Sequence, residues 1–178
     1  MRLLTALLLM FFAASAMAAS YQGQGIRMAI PAGYEGPIAM SSTPGGESAA
    51  FTKKYPDNVH SSLLQISSLI DSRLSAIPGN MLQTADDTYL KQFLDGIGRR
   101  RTQFVIVGQK PVMLAGIKAS RAEWTGQAQG QSMSGVMYCV IIGTRILIFH
   151  TQDFNDAPPS TRAAAIGAIE SVQPDRGG

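Results

Sequence analysis

One cysteine, two histidines and one tryptophan are spread over 178 residues, and each scarcity removes a class of function. A lone cysteine forbids a disulfide within the chain, and with two histidines it cannot by itself complete a structural zinc site. Charged residues make up 15% against 46% hydrophobic, which argues for a packed core rather than disorder. The net charge of +3, one less if Arg2 is lost, is too slight for nucleic acid, which needs a concentrated basic surface. Beyond residue 18 the longest apolar stretch, Val136 to Phe149, is cut by Gly143-Thr144-Arg145, so no stable membrane span is expected.

What is present begins with a leader. Met1-Arg2 supplies a positive start, Leu3 to Ala14 is apolar except for Thr5, and Ala16-Met17-Ala18 places small residues where a signal peptidase reads. This order predicts a cleaved secretory signal over 1–18 and a periplasmic protein, with secretion beyond the periplasm left open. Residues 19–24 read as a flexible lead-in, 25–173 as one domain and 174–178 as a tail. Cys139, inside the apolar run Val136 to Ile142, reads as a small buried hydrophobe.

Along the domain, Ile26, Met28 and Ile30 alternate with Arg27 and Ala29, the period of a half-buried strand, and Pro31-Ala32-Gly33-Tyr34 ends it. Residues 36–46 read as loop around a short strand at Ile38-Ala39-Met40, followed by strands at 49–54 and 63–69. A long connection, 71–83, contains Pro78-Gly79-Asn80. Thr84 then opens a helix as its cap, Asp86 and Asp87 suit its positive end, and Tyr89, Leu90, Phe93, Leu94 and Ile97 form an apolar stripe. Gly98 and Arg99-Arg100-Arg101 close it. The second half reads as strands at 104–107, 117–125, 134–142 and 145–151. A bend falls at Pro111 to Gly116, a loop at Gly126 to Gly130 and a tight turn at Gly143-Thr144. A last helix follows Asp156 and turns Ile166, Ile169 and Val172 inward. Short turns between consecutive strands force antiparallel pairing, so the fold class is α+β, helices packed on a largely antiparallel sheet.

In its opening strand into Pro-x-Gly-aromatic (Ile26 to Tyr34), its helix from Thr84 to Arg99, its meander through Glu123-Trp124 and its helix after Pro158-Pro159, the chain resembles the Mog1/PsbP-like α/β/α family, which includes bacterial proteins of the DcrB type. The resemblance covers most of 25–173 and rests on element order. It implies an α/β/α sandwich acting as a non-enzymatic accessory, chaperone or partner-binding protein, and it carries over no functional residue.

Searches for catalytic chemistry find little. Gly130 to Gly135 lacks the spacing of a nucleophile elbow. Ser132, His150 and Asp153 form a triad only on paper. His60 reads as a turn residue and His150 as a strand-edge residue, neither with a second metal ligand at helical or strand spacing. Gly23-Gln24-Gly25 lacks the third glycine and precedes its strand, so no dinucleotide site is expected. Neither cofactor nor metal is predicted. Arg99-Arg100-Arg101 suit an anionic lipid, a glycan or an acidic partner. Trp124 is either a core residue between sheet and helix or an interface anchor, with Arg121 and Tyr34 as companions. The leading expectation is a non-enzymatic protein-binding module, in its sharpest form an immunity protein that neutralises a toxin delivered to the periplasm, for example by a type VI secretion system. The alternative is an envelope accessory protein holding a small ligand or lipid between sheet and helix.

Overall fold

The computed structural model describes residues 19–40, 46–57 and 59–175. The expected signal peptide lies outside them.

Among the described residues ten strands form two antiparallel sheets. A small sheet pairs β1 (Ser20–Gly23), β2 (Ile26–Ala29) and β10 (Gln173–Pro174). The large sheet has the order β3 (Glu35–Met40), β4 (Gly46–Lys54), β5 (Ser61–Ile70), β9 (Arg145–Phe154), β8 (Gln131–Ile142), β7 (Ile117–Ala128), β6 (Thr102–Leu114). One face of it carries α1 (Leu82–Gly98), and the other is covered by the small sheet and α2 (Pro159–Glu170). This is an α+β sandwich, helices packed on a largely antiparallel sheet.

Alternation assigns the core. On the α2 side Leu64, Ile66, Val136, Tyr138, Leu147 and Phe149 meet Ala165 and Ile169. On the α1 side Trp124, Met137, Cys139, Ile146 and Ile148 meet Leu90 and Leu94. Strands β8 and β9, covered on both faces, are therefore buried nearly throughout, as a two-sided apolar run requires. Ile169 and Val172 are buried as expected, and Ile166 is half-buried.

Several boundaries differ from the sequence reading. The 19–24 lead-in is β1, held by Tyr21↔Met28 and its neighbours, and the start of the 174–178 tail is β10, paired with Ile26 and Arg27. The folded unit thus extends at both ends of 25–173. The strand around Ile38 starts earlier, at Glu35, and residues 41–45 of that loop lie outside the described residues. The connection 71–83 holds two short 3₁₀ turns, Ser72–Ala76 and Gly79–Met81. Helix α1 starts at Leu82, so Thr84 lies inside it and caps nothing. Pro111 does not bend the chain. It sits within β6, an edge strand with one side unpaired, where a missing N–H is tolerated. The hairpin turns on either side of β7 are two residues long, Ala115-Gly116 and Gln129-Gly130, each with both φ angles positive, the geometry that matches strand twist. Residues 112–114, read as part of a bend, and 126–128, read as loop, are therefore strand.

Candidate ligand-binding groove

Seven strands about 4.8 Å apart make a sheet roughly 29 Å wide, whereas one helix with its side chains covers about 10–12 Å. Helix α1 packs on β7 and β8. The same face of β5 is left only half-buried: Leu63, Gln65, Ser67 and Leu69 are intermediate, while Ser62, Leu64, Ile66 and Ser68 on its other face are buried. Among the described residues nothing covers this strip, which forms a groove of about 740 Å³ between α1 and the sheet. Phe93 and Ile97 of the helix face Leu69, Ile148 and Met137 of the sheet, with Met40 of β3 at the outer rim. A second groove of about 600 Å³ runs along α1 past Leu74, Ile77 and Met81, and Tyr89 and Gln92 line both.

The outer floor is polar: the Ser48 and Ser67 hydroxyls lie 2.7 Å apart and Gln65 Nε2 donates to Ser67 Oγ at 3.1 Å. The inner end holds a cluster with unmet hydrogen-bonding capacity. Arg101, just past α1, places its guanidinium carbon 4.7 Å from the Trp124 ring centre, and Trp124 lies 5.8 Å from the His150 ring. Arg101 Nη1 donates to the Ile97 carbonyl at 3.2 Å and Nη2 donates to Gln152 Oε1. Arg101 Nε, Trp124 Nε1 and His150 Nε2 are buried and have no hydrogen-bond partner among the described residues. Burial, and then the Arg101 charge, push His150 down to about 3, so its ring is neutral at physiological pH. Burial, and then the Arg100 charge, lower the Arg101 pKa.

His150 is thus an interior residue at 5% exposure rather than a strand-edge one. It shares its face of β9 with Ile146 and Ile148. Asp153 lies on the opposite face, where it accepts from Tyr55 Oη at 2.6 Å, and Ser132 is exposed, so the paper triad does not assemble. His60 lies at the Asp57 turn, where its Nδ1 pairs with the Asp57 carboxylate, and its ring packs on Phe154. Among the described residues no group of three His, Cys, Asp or Glu is placed to hold a metal.

The six candidate interface residues do not form one patch. Trp124, at 1% exposure, is the core residue of its two readings. Tyr34 is also buried, with its hydroxyl 2.6 Å from Ser62 Oγ on the α2 side. Arg121 is on that side too, donating to Tyr138 Oη at 3.0 Å and to Glu123 at 2.6 Å, while Tyr138 donates to Glu170 of α2. Arg99 and Arg100 are exposed at the end of α1. The structure brings together Arg100, Arg101 and Trp124 and adds His150 and Gln152, which the sequence reading did not join to them.

The pair Asp86-Asp87 also departs from its expected role at the helix start. Asp86 is the fifth residue of α1 and 1% exposed, on the stripe of Leu90 and Leu94, and its Oδ1 has no partner. Asp87 Oδ1 accepts from Ser120 Oγ and from Gln109 Nε2, and Gln83 Nε2 donates to the same serine.

No protein-family model and no curated protein matches the chain. Solved structures share its fold. LpqN of Mycobacterium tuberculosis, involved in cell envelope biogenesis, has 14% identity and a TM-score of 0.57 over 90% of this chain and 88% of that one. Cyanobacterial PsbP (CyanoP) of Synechocystis has 11% identity and a TM-score of 0.57 over 91% and 95%. The Pseudomonas aeruginosa protein PA94, of unknown function, has 14% identity and a TM-score of 0.52 over 86% and 94%. At these identities the likeness concerns the fold: the chain has the Mog1/PsbP-like architecture.

Proposed function

We propose that this chain is an exported envelope protein that works by binding rather than by turnover, and that its ligand is a small apolar or amphipathic molecule lying between α1 and the sheet. The observation that carries this reading is the groove of about 740 Å³, with apolar walls and a half-buried polar end. Its size is that of small-molecule sites generally. The leader-like order of Arg2, Leu3 to Ala14 and Ala16-Met17-Ala18 supports export. So does the fold shared with an envelope-biogenesis protein. Among the described residues no helix is long and apolar enough to cross a membrane. The toxin-neutralising reading needs an exposed aromatic-arginine centre, and no specific observation favours it, since Tyr34 and Trp124 are buried.

The test is binding of a neutral apolar probe, N-phenyl-1-naphthylamine, to chain purified without detergent. Saturable fluorescence enhancement is expected, and it should be lost in Phe93→Arg, which puts a charge into the groove wall from a half-buried position. Circular dichroism checks that the variant is folded. A probe signal that is absent, or unchanged by Phe93→Arg, overturns the reading.

A further inference from the structure

The inner end of the groove carries positive charge, and no counter-charge stands beside it among the described residues. Arg100 and Arg101 line it, and its lining contains no aspartate or glutamate. Among the described residues neither arginine forms an ion pair. Arg101 is half-buried with its Nε–H unmet, and His150, nine-tenths buried, leaves Nε2 unmet beside the same groove. A partly desolvated guanidinium without a carboxylate is unfavourable until an anion reaches it, and its planar fork suits a carboxylate. Beside it the neutral His150 ring offers hydrogen bonding without adding charge. From this end Ile97, Phe93 and Leu69 make an apolar wall leading toward Tyr89, beside the polar floor at Gln65 and Ser67. The helix rises roughly 12 Å from Ile97 back to Tyr89, about the reach of a ten-carbon chain.

We propose that the groove holds a single-chain amphiphile with a carboxylate head, the head at Arg101 and His150 and the alkyl chain along Ile97, Phe93 and Leu69. This rests on the ligand-binding reading above and names its chemistry. One carboxylate charge balances the one half-buried guanidinium, while the exposed Arg100 draws anions toward the entrance without having to be desolvated.

The test titrates the purified full chain with dodecanoate, dodecanol, dodecyl phosphate and dodecyltrimethylammonium below their micelle concentrations. Binding is followed by calorimetry and by emission of Trp124, the single tryptophan, beside the Arg101 guanidinium. Dodecanoate is expected to bind at least tenfold tighter than dodecanol, and the ammonium amphiphile not at all. Arg101→Gln should remove that tenfold preference and leave dodecanol unchanged, while Arg101→Lys keeps part of it. Equal affinity for dodecanoate and dodecanol in the unaltered chain overturns the head-group assignment and leaves the groove standing. Dodecyl phosphate binding tenfold tighter than dodecanoate replaces the carboxylate with a phosphate. No heat and no emission change with any of the four overturns the ligand-binding reading as well.

Discussion

Replacing Asp86 by asparagine should change how stability depends on pH, and the structure gives the size. The carboxyl is 1% exposed and its Oδ1 has no partner. Burial first, and then the neighbouring Asp87 charge, raise it from 3.8 to about 7, against a smaller opposing contribution from the Ile141 backbone. An unfolded chain releases this proton near 3.8 and the folded chain near 7. Between those values the folded state holds a proton the unfolded state has lost, so stability falls as pH rises, by about 1.4 kcal/mol per pH unit. Over the whole interval this reaches about 4 kcal/mol, an upper figure because relaxation and water penetration reduce it; about 2–4 kcal/mol is the working range. His150 acts in the opposite sense. Its folded value of about 3 lies below the ordinary 6.5, so stability falls as pH drops below 6.5. From pH 6.5 to 4 the two slopes oppose each other, and the native chain should show little pH dependence from this pair.

Asp86→Asn removes one of the two. Denaturant unfolding followed by Trp124 emission from pH 4.5 to 8 gives the difference between variant and native chain. Any fixed penalty of the buried amide, about 1–3 kcal/mol, shifts that difference equally at every pH. The difference itself should move in favour of the variant by about 2–3 kcal/mol between pH 4.5 and 7, then level off. The variant alone should lose stability as pH falls below 6.5, exposing the His150 slope. A difference that stays flat across the range refutes the account of Asp86 as a buried, protonated carboxyl.

Two further outcomes follow from packing. At Gly135 a Cβ would lie 2.5 Å from two Trp124 ring carbons and 2.6 Å from the Thr151 carbonyl oxygen. Gly135→Ala should therefore cost about 1–3 kcal/mol or more and shift native Trp124 emission to the red, read by chemical denaturation and fluorescence. Cys139 has no exposure and burial raises its thiol well above the ordinary range. It should react with a disulfide reagent only at the rate of global opening, at least a hundredfold slower than in denaturant; prompt labelling of the native chain would contradict its placement.

Much of the fold was legible because its signals are local. Ile26, Met28 and Ile30 announce one buried face, and Leu90 and Leu94 lie on a helical stripe. Gly143-Thr144 marks a hairpin, and the structure keeps each of these. What was misread depends on partners distant in sequence. Residues 20–23 are strand because Ile26–Ala29 lie beside them, and Pro111 is tolerated because β6 has an unpaired side. Thr84 failed as a cap because the turn Gly79–Met81 feeds directly into Leu82. Asp86 carries a readable signal: it precedes Leu90 and Leu94 at intervals of four, so a helix burying those leucines buries it too. His150 carried a similar one, two residues beyond Ile148 on the same face of a strand. No spacing rule joins Arg101, Trp124 and His150, which come from a helix end and two non-adjacent strands and meet only through sheet order.

That sheet order is also why a groove exists at all. Chain order delivers β3, β4 and β5 before α1, and β9 returns to pair with β5. Helix α1 leads directly into β6 at the far edge and lies over β7 and β8. Among the described residues one helix covers this seven-stranded face from one side, and the β5 end of the face is left half-buried. The polar residues there (Gln65, Ser67 and Gln152) are those of a surface that expects water or a polar ligand group, while Leu69, Phe93 and Ile97 are those of a wall that gains by being covered. A second helix over the same strip would have needed apolar residues at Gln65 and Ser67. Their polarity fits the proposed reading of the strip as a ligand groove, in which the unpaired Arg101 at its inner end receives the carboxylate head.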